Sequence, residues 1–168
     1  MSARKDLLLK RLTEEGERTL TYFRALTEAQ LAQAVYASGP GWDARGVLAH
    51  MLWTERAFNH YNRDVLNGGP GAPEDFDIDG YNAEQTPVYA SHTAPELLSQ
   101  FEAERAETLR LVSQSAEADF DRQAYHPFLG RTTLEEILKL LYRHTMLHAR
   151  DVRKALEAGQ PLTAASDG

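Results

Sequence analysis

The segment LYRHTMLHARD, residues 141–151, places His144 and His148 four positions apart in a run that otherwise reads as the buried stripe of a helix. Residues four apart lie on one helix face, one turn from each other, so both imidazoles point the same way. Two neutral imidazole nitrogens at this spacing can fill adjacent positions around a metal ion. The spacing alone is a weak signal, since a lone histidine on an apolar face is more often a core residue with one hydrogen-bond partner.

A third histidine, His50, lies in a second amphipathic run, GWDARGVLAHMLWTE, beside Val47 and Met51 on the inward stripe. Burying an unpaired polar group costs about 1–3 kcal/mol, and clustered imidazoles disfavour one another's protonation. A divalent metal that takes one nitrogen from each ring removes both penalties. The sequence therefore predicts a metal site on His50, His144 and His148. Three protein ligands leave a position open, which is typical of a catalytic site.

Thr145 and the absence of cysteine limit the reactions that this site could catalyse. Thr145 stands where a metalloprotease with the HExxH pattern carries its general-base glutamate, so peptidase chemistry is excluded. The chain has no cysteine, which excludes disulfides, thiolate ligands and a cysteine nucleophile. Any thiol that takes part in the reaction must therefore arrive with a substrate or cosubstrate.

Other polar residues near the histidines have several interpretations. Asp151, three residues after His148, could orient that ring, bind the metal, or form a surface ion pair with its basic neighbours. Glu55 lies about 140° round the helix from His50, which argues against direct ligation; it could serve a neighbouring pocket or be exposed. His126, in the irregular segment AYHPFLG, is a candidate for lining the pocket, with less reason to include two others, His60 and His92. We interpret the remaining large aromatic side chains near these motifs as packing residues: Trp42, Trp53, Tyr81 and Tyr142.

Four long helical patterns must position these side chains, over about residues 3–26, 44–66, 93–114 and 132–158. Ser2, Asp43, Thr93 and Thr132 are the expected N-caps, and the last helix ends at Gly159. The connection 67–92 is rich in Gly, Pro and Asp but contains aromatic residues, so we expect it to pack on the domain. The pattern predicts an all-α, antiparallel four-helix bundle with a long crossover between the second and third helices. We expect one domain over 1–160 and a disordered tail over 161–168.

The composition fits a single globular domain and restricts the partners. The chain has 168 residues and a formal net charge of -7. An acidic chain has no net positive field to attract nucleic acid or an anionic membrane surface. No run approaches the roughly 20 apolar residues of a membrane span, and the N-terminal apolar run is too short for a signal peptide. We therefore expect a cytoplasmic protein with a small-molecule substrate.

These motifs together resemble the DinB/YfiT superfamily of four-helix-bundle metalloproteins. The resemblance rests on GWDARGVLAHMLWTE, DIDGYN, GRTTLEEIL and LYRHTMLHARDVRKAL, and it covers about residues 5–158. It implies a divalent metal, nickel or zinc, on His50, His144 and His148, and a homodimer. Relatives in this superfamily include thiol-dependent S-transferases and isomerases that use bacillithiol, mycothiol or glutathione.

Three hypotheses follow from the residues and the resemblance. The leading one is a metal-dependent transferase, or a hydrolase, that activates a low-molecular-weight thiol or water on the three-histidine site. The second is a non-catalytic protein that binds or sequesters a metal or small molecule, with the crossover 67–92 covering the ligand pocket. The third is a structural dimer whose histidines bind no metal.

Overall fold

The computed structural model describes residues 3–163, and Ser2, the expected first N-cap, lies outside them. The chain forms α1 Ala3–Arg24, α2 Glu28–Leu31, α3 Ala44–Leu66, α4 Ile78–Tyr89, α5 Ala94–Gln114, a 3-10 turn Glu117–Asp121, β1 Gln123–His126, β2 Gly130–Thr133 and α6 Leu134–Ala158. The four long helices α1, α3, α5 and α6 form the bundle. The predicted four-helix bundle is confirmed.

The predicted helix boundaries are confirmed at α3 and α5, where the side-chain caps are in place. The Asp43 carboxylate accepts a hydrogen bond from the Gly46 backbone N–H, which starts α3. Thr93 and Glu96 form a reciprocal capping box at the start of α5. Each cap satisfies backbone donors that a helix leaves unpaired in its first turn.

Helix α6 begins one residue later than predicted. Its N-cap is Thr133, whose side chain accepts from the Glu136 N–H, whereas the sequence pattern TTLE favoured Thr132. The reason is the short β-hairpin before the helix, whose ladder extends to the pair of Thr133 with Gln123. Thr132 lies inside this ladder, so the helix can begin only after Thr133, the last residue of β2. Gly159 ends α6 in the left-handed region, as expected.

Helices α5 and α6 each pack against both α1 and α3. Lys5 near the start of α1 donates to the Ser113 carbonyl near the end of α5, so these helices run antiparallel. Helix α3 also runs antiparallel to α6, because His50 near its start contacts His148 in the second half of α6, whereas Val65 near its end shares a core cluster with Leu134 at the start of α6. This crossing brings the three histidines together.

Helices α3 and α5 instead run parallel. Arg56 pairs with Glu104, and further along both helices, two turns on in α3 and about one turn on in α5, Arg63 pairs with Glu107. The chain must therefore return along the whole bundle between α3 and α5, which explains the predicted long crossover. It packs on the bundle as expected, but contains the unpredicted helix α4. Gly, Pro and Asp in this segment concealed its helical part.

The core has two apolar clusters along the bundle axis. One contains Trp42, Trp53 and Phe101, and the other contains Phe58, Phe120 and Leu141. Buried polar residues lie between them on α3, α5 and α6. The core is therefore interrupted at the level of the predicted site.

Residues after α6 continue to contact the domain. Leu162 exchanges backbone hydrogen bonds with Val35 and Ala37, so pairing extends into the segment expected to be a disordered tail. Residues 164–168 of that segment lie outside the described residues. Within 3–163, no helix combines the length and apolar character needed to cross a membrane.

Candidate metal centre

The three predicted histidines converge where α3 crosses α6. His50 Nε2 lies 3.0 Å from His144 Nε2. The ring centroids of His144 and His148 are 4.4 Å apart, and that of His50 is 4.8 Å from His148. One nitrogen from each ring can be chosen so that all three lie within 4.8 Å of one another. The i, i+4 pair on α6 and the facing residue on α3 thus form one cluster.

The spacing and type of these donors fit a divalent metal. Nitrogen ligands about 2.1 Å from a metal are about 3.0 Å apart at a right angle and about 3.4 Å apart at a tetrahedral angle. The observed 3.0 Å between the nitrogens of His50 and His144 matches this range. Neutral imidazoles are suitable ligands for zinc, nickel, copper and iron.

Burial keeps the three imidazoles neutral. It lowers the pKa of His50 and His144 well below the usual value, and the nearby His148 lowers both pKa values further. Burial also lowers the pKa of His148 to about 4, although Asp151 acts in the opposite direction. A metal ligand must be deprotonated, so the cluster offers three lone-pair donors at neutral pH without first releasing protons.

Tyr36 fixes the orientation of His148. Its hydroxyl lies 2.8 Å from His148 Nδ1 and donates to Asp151 Oδ2 at 3.1 Å. The pKa of Tyr36 is raised by burial and by Asp151, so the hydroxyl remains protonated. Because that proton is directed to Asp151, the phenol oxygen accepts Nδ1–H of His148. The Nε2 lone pair of His148 is then available to the metal.

His50 is held by aromatic and polar neighbours. Trp42 stacks on its ring with the centroids 4.5 Å apart, and Trp53 approaches edge-on at 5.4 Å. Trp53 Nε1 donates to Asn82 Oδ1, and Asn82 also hydrogen-bonds to His50. Asn82 belongs to α4, so the crossover supplies a contact to the cluster. Both tryptophans are buried in the core, as expected of packing residues.

A buried ion pair lies beside the cluster. Arg105 donates to both carboxylate oxygens of Glu55, at 2.6 and 2.9 Å, and to Thr145 Oγ1 at 3.1 Å. Thr108 also donates to Glu55. Glu55 is fully buried, so the interpretation of an exposed carboxylate is wrong. Its charge is compensated by Arg105, and it supports the helix packing around Thr145.

A cavity of about 210 Å³ adjoins the cluster and is lined by His50 and His144. Its other walls come from α3, the crossover, the hairpin and α6, and include Tyr81 and His126. Among residues 3–163, no Asp, Glu, Lys or Arg lines it. The cluster therefore faces an uncharged, mainly apolar space large enough for an organic ligand.

The family model of the DinB superfamily matches residues 9–152. The chain belongs to the DinB superfamily. No curated protein matches the sequence of this DinB protein.

Solved structures share the fold of this DinB protein at low sequence identity. A mycothiol-dependent maleylpyruvate isomerase superposes with a TM-score of 0.75 at 13% identity, over 90% of this chain and 63% of that one. YfiT from Bacillus subtilis, described as a probable metal-dependent hydrolase with an unusual four-helix bundle topology, gives a TM-score of 0.74 at 18% identity, covering 95% of this chain and 91% of its own. DfsB, a sibling lethal factor precursor, gives 0.73 at 16% identity, covering 96% and 100%. The DinB protein thus spans under two thirds of the isomerase.

The remaining predicted site residues of the DinB protein lie in different surroundings. Asp151 is buried, and Tyr36 links it to His148. His126 lines the cavity, as does Tyr81, which was expected only to pack. His60 is exposed and contacts Tyr61 edge-on.

Two residues at the cluster were not found from the sequence. Tyr36 lies in an irregular loop with no periodicity, and the pairing of Tyr36 with Leu162 that holds this loop is long-range. Asn82 lies in the DIDGYN segment that carried part of the resemblance, and this was the only signal for it.

Proposed function

We propose that this DinB protein is a metal-dependent enzyme. His50, His144 and His148 hold a divalent metal that activates a low-molecular-weight thiol or water for attack on a substrate in the adjacent cavity. One observation carries the proposal: two imidazoles of the cluster, His50 and His144, also line the cavity. A group held by the cluster would therefore face the space that a substrate would fill.

The metal would supply an open coordination position and lower the pKa of the water or thiol that occupies it. The chain supplies three neutral donors, and Tyr36 keeps a lone pair of His148 directed to the cluster. The Thr145 hydroxyl donates to the Leu141 carbonyl and accepts from Arg105. Its hydrogen bonds therefore stabilise the helix packing. Since the chain has no cysteine, a thiol nucleophile would come from outside it.

The structural neighbours support both choices of nucleophile. The isomerase is mycothiol-dependent, which favours a thiol, whereas YfiT is described as a probable hydrolase, which favours water. We propose nickel or zinc as the metal, in keeping with the resemblance and with a donor set of neutral imidazoles. A cytoplasmic homodimer is part of the same proposal, and light scattering on the purified protein tests the dimer.

Metal content tests the site. Protein purified without a histidine tag should contain about one nickel or zinc per chain by mass spectrometry, and a His50→Ala, His144→Ala double variant should contain almost none. His60→Ala is the matched control, since His60 is exposed and outside the cluster. Full metal content in the double variant would show that these histidines do not hold the metal. Absence of metal from the wild type would favour the structural dimer.

Turnover tests the reaction. The metal-loaded protein should conjugate organic electrophiles with bacillithiol, mycothiol or glutathione, or hydrolyse activated esters and amides without a thiol. Either activity should be lost in the double variant and retained in His60→Ala. Metal binding without turnover in both assays would favour the alternative, a protein that binds or sequesters a metal or small molecule in the cavity under the crossover.

A further inference from the structure

The cavity follows α3 for much of the helix. His50, Tyr61, Asn62 and Val65 all line it. At a rise of 1.5 Å per residue, the Cα atoms of His50 and Asn62 are about 18 Å apart along the helix. On the facing wall, α6 contributes residues from Ile137 to His144. A volume of about 210 Å³ spread over this length describes a narrow, elongated space with the histidine cluster at one end.

Asn62 presents an unsatisfied amide far from the cluster. Its side chain is 2% exposed, and neither its Nδ2 nor its Oδ1 has a hydrogen-bond partner. Nearby Asn59, also on α3, differs: its Nδ2 donates to the Glu104 carbonyl at 2.9 Å and to the Glu104 carboxylate at 3.1 Å. A buried amide without partners costs about 1–3 kcal/mol. A ligand group that both donates and accepts would remove this cost.

His126 adds a neutral donor to the same wall. Its Nδ1 accepts from the backbone N–H of Phe128, which places the ring proton on Nε2. The ring packs on Phe58 with the centroids 4.9 Å apart. Burial lowers the pKa of His126 to about 4, so the ring carries no charge at neutral pH. No side chain of the lining compensates a charged ligand, because its polar groups are two amides, a threonine hydroxyl, phenols and neutral imidazoles.

We infer that the substrate is an elongated, uncharged and mainly apolar molecule that reacts at the end beside His50 and His144. Its other end carries a group that both donates and accepts, such as a carboxamide or hydroxyl, and Asn62 recognises that group. The inference rests on the proposed function for the choice of the reacting end. The specificity for an uncharged molecule follows from the lining, since a buried charge without a partner is strongly disfavoured.

Equilibrium binding of matched probes tests this inference on the metal-loaded and the chelator-treated protein. Octanamide, octanoate and octylammonium each have eight carbons in an unbranched chain and differ in the charge of one end. Calorimetry should show saturable binding of octanamide with one site per chain, and at least tenfold weaker binding of both ions. Because octanoate could also bind the metal directly, the chelator-treated protein decides: octanoate or octylammonium that binds it as tightly as octanamide would overturn the inference of an uncharged substrate.

The variant Asn62→Leu distinguishes a role of Asn62 in ligand recognition from a role in stabilising the fold. The variant removes an unsatisfied amide, so it should raise the urea midpoint while weakening octanamide about five- to tenfold. Binding of butylbenzene, which has no polar end, should stay within about twofold. Asn67→Leu, at the exposed end of the same helix, is the control and should change neither quantity. Lower stability of Asn62→Leu with unchanged octanamide affinity would overturn the inference, because Asn62 would then be a structural residue.

Chelator treatment of the wild type keeps this test independent of the proposed function. The treated protein should retain octanamide binding that Asn62→Leu weakens, although it lacks the metal. Loss of the Asn62 effect in a protein that holds its metal and turns over substrate would contradict this inference alone. Octanamide binding in a wild type without metal or turnover would support the inference and contradict the proposed function.

Discussion

The Tyr36 hydroxyl lies 2.8 Å from Nδ1 of His148 and links this ring to the buried Asp151 carboxylate. Tyr36 comes from the loop after α2, whereas His148 and Asp151 are on α6. The loop therefore controls which nitrogen of a candidate ligand carries the proton. The bundle alone places the imidazole, and the loop determines its tautomer.

Tyr36→Phe should weaken metal binding by about 10- to 100-fold while leaving the fold intact, because His148 loses the acceptor that fixes its tautomer and orientation. Competition with a calibrated chelator measures the affinity. Tyr142→Phe, on the same helix as His148, is the control and should bind metal like the wild type. Equal affinities in the two variants would contradict the role assigned to Tyr36.

The stability of the metal-free protein should depend on pH through His126. Burial lowers its folded-state pKa to about 4, below an unfolded value near 6.5, so the unfolded chain binds the proton more readily. The contribution of His126 is therefore fully present above pH 6.5 and is lost as the pH falls towards 4. In this window, one proton changes the free energy of unfolding by up to about 1.4 kcal/mol per pH unit.

His126→Asn isolates this effect, because the Asn oxygen can still accept the Phe128 N–H. Urea unfolding at pH 7, 6 and 5 with chelator present should show a shallower loss of stability in the variant. The three cluster histidines titrate in both proteins, so the difference reports the titration of His126 together with its repulsion of His144. Identical slopes would mean that His126 is not shielded from water.

Removal of one partner of the buried Glu55–Arg105 pair should destabilise the protein much more than replacement of both partners. Arg105→Met leaves a fully buried carboxylate without its cation and should lower the free energy of unfolding by about 3–5 kcal/mol. A Glu55→Leu, Arg105→Met double variant should recover much of that loss, because apolar side chains carry no desolvation penalty. Urea unfolding measures both.

Arg110→Met provides the matched control for this pair. Arg110 is on the same helix and pairs with Glu107, but its side chain is half exposed. Exposed pairs contribute about 0–1 kcal/mol, so this variant should unfold close to the wild type. A similar loss in Arg105→Met and Arg110→Met would show that burial does not strengthen the Glu55–Arg105 pair.

The sequence was sufficient to predict the parts of this fold that depend on contacts between residues close together in the chain. Asp43 and Thr93 cap helices through contacts three residues away, and the inward positions of His50, His144 and His148 follow from helical periodicity. Their convergence also needed a pairing of α3 with α6, which local patterns do not encode. The predicted four-helix bundle made this pairing plausible, and the resemblance to the DinB/YfiT superfamily strengthened it.

The features that the sequence did not predict depend on contacts between distant segments. Tyr36 meets Asp151 across 115 positions, and Arg105 meets Glu55 across 50. The helix α4 was concealed because its turns contain Gly80 and Pro87, which have low helix propensity. A helix forms at such residues only because packing on the bundle compensates for their low helix propensity, and local sequence patterns do not show this packing.

The contact between the crossover and the hairpin gives the last prediction. Gly71 has φ +88° and sits where an added Cβ would lie 2.8 Å from the Tyr125 carbonyl oxygen. Gly68 has a similar φ, +90°, but an added Cβ would meet nothing within 4 Å.

Gly68→Ala should therefore lower the free energy of unfolding by about 1–2 kcal/mol from backbone strain alone. Gly71→Ala should cost more, because the Cβ also pushes the crossover away from the hairpin. Urea unfolding compares the two, and octanamide binding should weaken only in Gly71→Ala, since Gly71 and Tyr125 both line the cavity. Equal stability losses with unchanged binding would show that this contact does not shape the cavity wall.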